Sequence, residues 1–184
     1  MKIIGHHTCK NLGNKDEIEK PFLSEHVETD SSKHKFLGTG YYFWDNNLSM
    51  AHSWGAKRLN KKYYIFECLL DIPSGKFLDL VGNRIDMLWF QEMIKLFMDA
   101  EIFKDSWSIG RFLEFLKLKS KDVGKSDIFP YEAIRVLDYT IDTKKKSIFA
   151  EDNEAYTNLN PVMIVCLTTL DSGMVQEFRL IREK

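Results

Sequence analysis

Short apolar runs lie towards both ends of the chain, and apolar residues at helical spacing fill the middle. Lys2–Thr8 is apolar and bounded by polar residues, which predicts a first strand. Tyr41–Trp44 is aromatic enough for a second. Asp45 or Asn47 can cap a following helix, on which Leu48, Ala51, Gly55 and Leu59 share one face beside Trp54. Tyr63–Asp71 reads as a strand, and Pro73-Ser74-Gly75-Lys76 as a turn.

Helical spacing returns over Ile85–Phe103 through Ile85, Leu88, Trp89, Leu96, Ala100 and Phe103. A second helix is predicted from about Trp107 to Lys117, using Ile109, Phe112, Leu113 and Leu116 with Ser106 as its cap, although Gly110 disfavours it. The charged stretch 117–126 reads as a loop. Ile134–Leu137 and Ser147–Ala150 are short strand candidates. Val162–Thr169 is β-branched and apolar, as a buried central strand is. Met174–Ile181 alternates as a half-buried strand does. Asp16–Leu23 suggests a brief helix interrupted near Pro21, and Ser24–Lys35 a polar loop. Strands at both ends with helices between predict an α+β domain.

Composition narrows the class. A chain of 184 residues with 44% hydrophobic and 13% aromatic residues is that of an ordinary globular domain. A net charge of −1 argues against a purely electrostatic nucleic-acid binder. Cys9, Cys68 and Cys166 are an odd count in apolar surroundings, so buried thiols in a reducing compartment are expected rather than a disulfide framework. They lack Cys-x-x-Cys spacing, and no metal site is expected. The apolar run at the amino terminus is too short for a signal peptide, and no stretch approaches the ~18 apolar residues of a membrane span. A cytoplasmic protein is the expectation.

Two segments carry candidate chemistry. In Gly5-His6-His7-Thr8, adjacent strand residues point to opposite faces, so His6 and His7 cannot easily share one metal ion. His6 and Thr8 share a face. The bland reading is a polar residue at a strand end. In Phe36-Leu37-Gly38-Thr39-Gly40-Tyr41-Tyr42-Phe43-Trp44-Asp45, the Gly-x-Gly turn leads into aromatics rather than a helix, unlike a dinucleotide fingerprint. The bland reading here is a hairpin turn feeding a core strand. Alternation puts Tyr42 and Trp44 on one face and Tyr41 and Phe43 on the other. A rigid aromatic ring on the open face would suit a flat ligand.

His-x-Thr, then Leu-Gly-x-Gly-x-Tyr-Phe-Trp-Asp, then Ala51-x-x-Trp54 resembles the N-terminal half of a bacterial group of ADP-ribosyltransferase-like proteins. That group is similar to the poly(ADP-ribose) polymerase and diphtheria-toxin branch. Cys68–Asp71 through Leu78-Asp79-Leu80 is also similar, so the likeness covers roughly the first eighty residues. The resemblance implies two small antiparallel sheets facing each other across an NAD cleft, with the helices of about 85–118 as an insertion. It implies that NAD is consumed as a substrate. His6 would bond a hydroxyl of the ribose next to nicotinamide, and Tyr42 would stack on the nicotinamide. His7 stands where the superfamily often has glycine, whose backbone holds the nicotinamide amide. Gly40 would shape the turn, Tyr41 or Trp54 would wall the pocket, and Thr8 would steady the first strand.

The third family element is a carboxylate near the last long strand, and here the chain departs from the pattern with Pro161-Val162-Met163. Phe149-Ala150-Glu151 resembles a Phe-x-Glu segment of the bacterial group, which favours Glu151, with Glu154 next and Glu177 third. The alternative for Glu151 and Glu154 is that both are solvated loop acids. A carboxylate is needed because loss of nicotinamide leaves an oxocarbenium-like ribose.

The resemblance implies a mono-ADP-ribosyltransferase with a protein or nucleic-acid acceptor, of the kind used as a bacterial toxin or phage-defence effector. A toxin of this kind implies a neutralising antitoxin protein. A catalytically silent NAD- or ADP-ribose-binding module and an NAD glycohydrolase are the alternatives. Three basic clusters (Lys57-Arg58 with Lys61-Lys62; Lys117, Lys119 and Lys121; Lys144-Lys145-Lys146) are either solvated faces or parts of a groove for an acidic target.

Overall fold

The computed structural model describes residues 1–11, 36–102, 108–122, 128–138, 162–168 and 173–183. They form seven strands and three helices in an α+β arrangement. The strands are β1 (Lys2–Lys10), β2 (Tyr41–Asp45), β3 (Tyr63–Asp71), β4 (Phe77–Asp79), β5 (Ala133–Leu137), β6 (Met163–Leu167) and β7 (Val175–Glu183). The helices are α1 (Leu48–Arg58), α2 (Arg84–Asp99) and α3 (Ile109–Asp122). The expected strand of 147–150, the brief helix of 16–23 and the loop of 24–35 lie outside the described residues.

The strands make one mixed sheet in the order β4-β5-β6-β2-β1-β3-β7, parallel only between β4 and β5. Two separate sheets were expected. Instead, two halves are joined by a narrow seam. β1 pairs with β3 along all its nine residues, but with β2 only through Gly5↔Asp45 and His6↔Trp44. One half is β1-β3-β7 and the other is β4-β5-β6-β2.

Register assigns the faces, because directly paired residues point to the same side. Ile3, Phe43, Tyr64, Phe66, Leu70, Ala133, Val165 and Leu167 build a core on one face. Helices cover much of the other. Burying each large apolar side chain contributes about 2–3 kcal/mol.

The Asn47 carboxamide caps α1 by accepting from the Met50 N–H at 3.1 Å. The helix buries Ala51 and Gly55 against Tyr63 and Ile65. A side chain at Gly55 would strike the Tyr63 ring, which explains a glycine in mid-helix.

α2 and α3 pack on the β4-β5-β6-β2 half through Phe90, Phe112, Leu113 and Leu116 over Leu78, Ile134 and Cys166. Phe97 stands edge-on to Phe115 at 5.3 Å, a favoured aromatic geometry. The stripe expected on α2 is rotated. Ile85 is 77% exposed, and Leu88 and Leu96 are exposed with it, while Trp89, Phe90, Met93, Ile94 and Phe97 face inwards. The larger aromatic area goes to the core. Two further corrections fall in this region. Residues 117–122 continue α3 rather than forming a loop, because Leu113 and Leu116 anchor the preceding turns. The Ser108 hydroxyl accepts from the Arg111 N–H at the start of α3, while the expected cap, Ser106, lies outside the described residues.

Candidate functional site

His6 and Tyr42 stand on one face of adjacent strands, two positions apart across the seam. His6 pairs with Trp44, and Tyr42 follows on the same side of β2. At this point β1 and β2 part, and their register pairing goes no further than His6↔Trp44. The imidazole of His7 enters the gap. Its Nδ1 lies 2.9 Å from the Tyr42 carbonyl oxygen, which accepts the hydrogen. The ring packs against Phe43 with centroids 5.5 Å apart. Burial pushes the His7 pKa down to about 4, against the opposing pull of the Tyr42 carbonyl. His7 is therefore neutral at neutral pH, with its hydrogen on Nδ1. The residue expected to offer only its backbone instead braces the seam with its side chain.

Thr8 shares the face of His6 and donates its hydroxyl hydrogen to the Ala51 carbonyl at 3.0 Å. That bond ties β1 to α1.

His6 is 4% exposed. Its Nε2 lies 3.4 Å from Glu67 Oε2 on β3. Its Nδ1 is buried and has no hydrogen-bond partner. The other Glu67 oxygen, Oε1, accepts from Arg179 Nε at 2.8 Å and lies 2.7 Å from Arg179 Nη2. Beside this pair lies an open depression of about 270 Å³, lined by Ile4, Glu67, Leu69, Glu177, Phe178 and Arg179. Glu177, the third carboxylate candidate, is thus on the sheet half that carries His6.

Tyr42 is locked by its own turn. Its hydroxyl donates to the Gly38 carbonyl at 2.5 Å and accepts the Leu37 N–H at 3.2 Å. The ring lies 6.4 Å from that of Phe36 and packs against the α2–α3 cluster. Gly38 is required here. Its φ is +83°, and a side chain would meet the Glu114 carboxylate at 2.2 Å. At Gly40 a side chain would strike the Leu167 carbonyl oxygen. From α3, Glu114 accepts the Thr39 N–H at 3.0 Å, and Lys117 donates to the Thr39 carbonyl at 3.3 Å and to Glu114 at 3.0 Å. α3 therefore clamps the Gly-x-Gly turn.

The wall residues separate. Tyr41 points to the opposite face from Tyr42 and packs against the β core, so it does not line the same surface. Trp54 is 38% exposed on α1. Glu151 and Glu154 lie outside the described residues. β6 begins at Met163, preceded by the buried, apolar Val162.

Of the basic clusters, Lys57, Arg58, Lys61 and Lys62 form an exposed surface, Lys117 is spent on the turn, and Lys144–Lys146 lie outside the described residues. Among the described residues no group of three His, Cys, Asp or Glu side chains could hold a metal ion. The three thiols are free and buried, and burial pushes Cys9 up to about 11 and Cys68 and Cys166 up to about 12. No described helix is long and apolar enough to cross a membrane.

Another ionic cluster lies on the face opposite His6. Arg135 Nη2 and Nε contact the two Asp79 oxygens at 2.5 and 2.9 Å, and Nη1 lies 3.2 Å from Asp45 Oδ2. Burial alone would raise the Asp79 pKa. The Arg135 hydrogen bonds and the Val81 and Gly82 N–H groups overcome it and hold the carboxyl below its ordinary value. Each guanidinium nitrogen reaches a carboxylate, so the cluster holds β2, β4 and β5 together.

Glu67 and Glu114 were not singled out from the sequence, yet each leaves a trace. Glu67 interrupts the apolar run Tyr63–Leu70, and Glu114 stands between Phe112-Leu113 and Phe115-Leu116. A lone acid in an apolar run is costly unless it has a partner. No family model matches the chain, and no curated protein or solved structure is detectably similar to it.

Proposed function

We propose that this chain is a mono-ADP-ribosyltransferase that cleaves NAD between nicotinamide and ribose and passes ADP-ribose to a macromolecule. The observation that carries the reading is the juxtaposition of His6 and Tyr42 on one face, where β1 and β2 part. The Nδ1 of His6 is a buried polar atom without a partner, and a ribose hydroxyl would satisfy it. Tyr42 supplies an aromatic plane fixed at its hydroxyl end, so little freedom is lost when a flat ring packs on it. A carboxylate near the departing nicotinamide would stabilise the developing positive charge. Glu151 and Glu154 are the sequence candidates for it. The acceptor is a protein or a nucleic acid, and a neutralising protein partner is part of the toxin version of this reading.

One observation favours a second reading. Val162 and Met163 stand at the start of β6, where the resemblance calls for an acid. A chain without a working carboxylate would be an NAD- or ADP-ribose-binding module, and one that admits water would be an NAD glycohydrolase.

Incubation of the purified chain and a cell extract with NAD labelled in the adenylate separates these readings. Label on protein or nucleic acid supports transfer. Nicotinamide release without transfer supports hydrolysis, and binding without turnover supports the module. Neither binding nor turnover sinks all three. Mass spectrometry of RNA and protein from cells expressing the wild type or Tyr42→Ala then identifies the acceptor.

A further inference from the structure

We propose that Glu67 is a positioning residue that holds His6 in the Nε2–H tautomer, so that Nδ1 is left as a bare hydrogen-bond acceptor for a ligand hydroxyl. The identity of that ligand rests on the ADP-ribosyl-transfer reading; the tautomer does not.

The argument starts from the carboxylate. Arg179 engages Oε1 of Glu67 through Nε and Nη2, which leaves Oε2 towards His6. An ionised carboxylate only accepts hydrogens. The ring nitrogen 3.4 Å from it, Nε2, is therefore the one that carries the hydrogen in the neutral form of the ring. Nδ1 is then a lone pair, buried and without a partner. Leaving a buried acceptor unsatisfied is costly. Such a group calls for a specific reason, and a binding role is one. What satisfies it must donate. A hydroxyl does so, whereas a carbonyl or an ionised phosphate oxygen does not.

Nδ1 is sealed in this conformation, so a ligand reaches it only as neighbouring side chains shift. Trp44, half-buried and opposite His6 on the same face, is one such neighbour. The next residue supplies an internal contrast. His7 carries its hydrogen on Nδ1, facing the Tyr42 carbonyl. Two consecutive histidines are thus held in opposite tautomers by partners on opposite neighbouring strands.

Nitrogen-15 NMR of the imidazole rings of the full chain at neutral pH tests this, with His6→Asn and His7→Asn supplying the assignments. The expected result is Nε2–H at His6 and Nδ1–H at His7. Glu67→Gln, nearly isosteric, is expected to mix the His6 tautomers and leave His7 unchanged. It should also raise KM for NAD about tenfold with kcat within about twofold, as loss of one ligand hydrogen bond does. Nδ1–H at His6 in the wild type overturns the proposal, and needs no variant to fold. An unchanged His6 tautomer in Glu67→Gln overturns it too, as does an unchanged KM in a chain that turns NAD over. A wild type that ignores NAD but shows the expected tautomers refutes the transferase reading and leaves the assignment of Glu67 standing.

Discussion

His7 Nδ1 donates to the Tyr42 carbonyl at 2.9 Å, so a side chain holds β1 to β2 just beyond their last register pair. Either form of the ring can donate this bond, but burial disfavours the charged form and outweighs the pull of the carbonyl. The sign follows. In the folded chain His7 titrates at about 4, below its ordinary 6.5, so between these values the unfolded chain binds more protons. Its contribution is complete above pH 6.5 and is lost as pH falls towards 4, on the order of 3 kcal/mol across that window. Urea unfolding across that range should show wild-type stability falling more steeply than that of His7→Gln, whose amide can still donate but does not titrate there. Parallel pH profiles would remove His7 from this account.

The turn before β2 gives a coupled pair. In Gly38→Ala the new methyl group meets the Glu114 carboxylate, and the backbone must hold φ at +83°. The strained backbone alone costs about 1–2 kcal/mol. Glu114→Ala removes the acceptor of the Thr39 N–H and should cost about 1 kcal/mol. In the double variant the steric part disappears, so its loss should fall short of the sum of the two single losses by at least about 0.5 kcal/mol. Thermal or urea unfolding of the four chains measures this. Strict additivity would mean that α3 does not press on the turn.

Much of the scaffold was legible because its residues state their partners locally. Tyr63–Asp71 is β-rich along its length, and Asn47 stands where a helix cap is needed. The short strand Phe77–Asp79 was missed. Three residues carry no period, and their pairing with β5 is more than fifty residues distant in sequence. The orientation of α2 was misread because Ile85, Leu88 and Leu96 fit a helical period as well as Phe90 and Phe97 do; only the aromatic partners on α3 decide between them. His6 and Tyr42 were paired through the family resemblance; alternation sets Tyr42 with Trp44, and the register His6↔Trp44, seen only in the structure, puts all three on one face. Glu67 was not, because nothing in the β3 sequence reveals that its register partner on β1 is His6.

Tyr42 has two separable parts. Its hydroxyl fastens the turn at Gly38 and Leu37, while its ring is the plane proposed to meet nicotinamide. Tyr42→Phe should lose about 1 kcal/mol of stability and keep its NAD affinity to within about threefold. Tyr42→Ala should lose about 3–5 kcal/mol, as large-to-small core changes do, and should bind NAD at least about tenfold more weakly. Calorimetric titration with NAD, under conditions where unfolding curves show both variants folded, checks this. Equal affinity in Tyr42→Ala would take the ring out of the site.

The carboxylate decides between catalysis and binding. An acid that acts on the developing oxocarbenium has little to stabilise before the bond breaks, so its removal should lower kcat and spare KM. Glu151→Gln is expected to reduce label transfer by about 10²–10³-fold with NAD affinity nearly unchanged, and Glu154→Gln by less. Glu177→Gln alters the exposed depression beside Glu67 and is expected to leave kcat within about threefold, since solvent screens a charge at that site. The opposite ranking, with Glu177→Gln inactive, would move the chemistry to the β7 side of His6. If none of the three variants differs from a wild type that binds NAD without turning it over, the module reading replaces the transferase, because Val162 and Met163 leave the start of β6 without an acid.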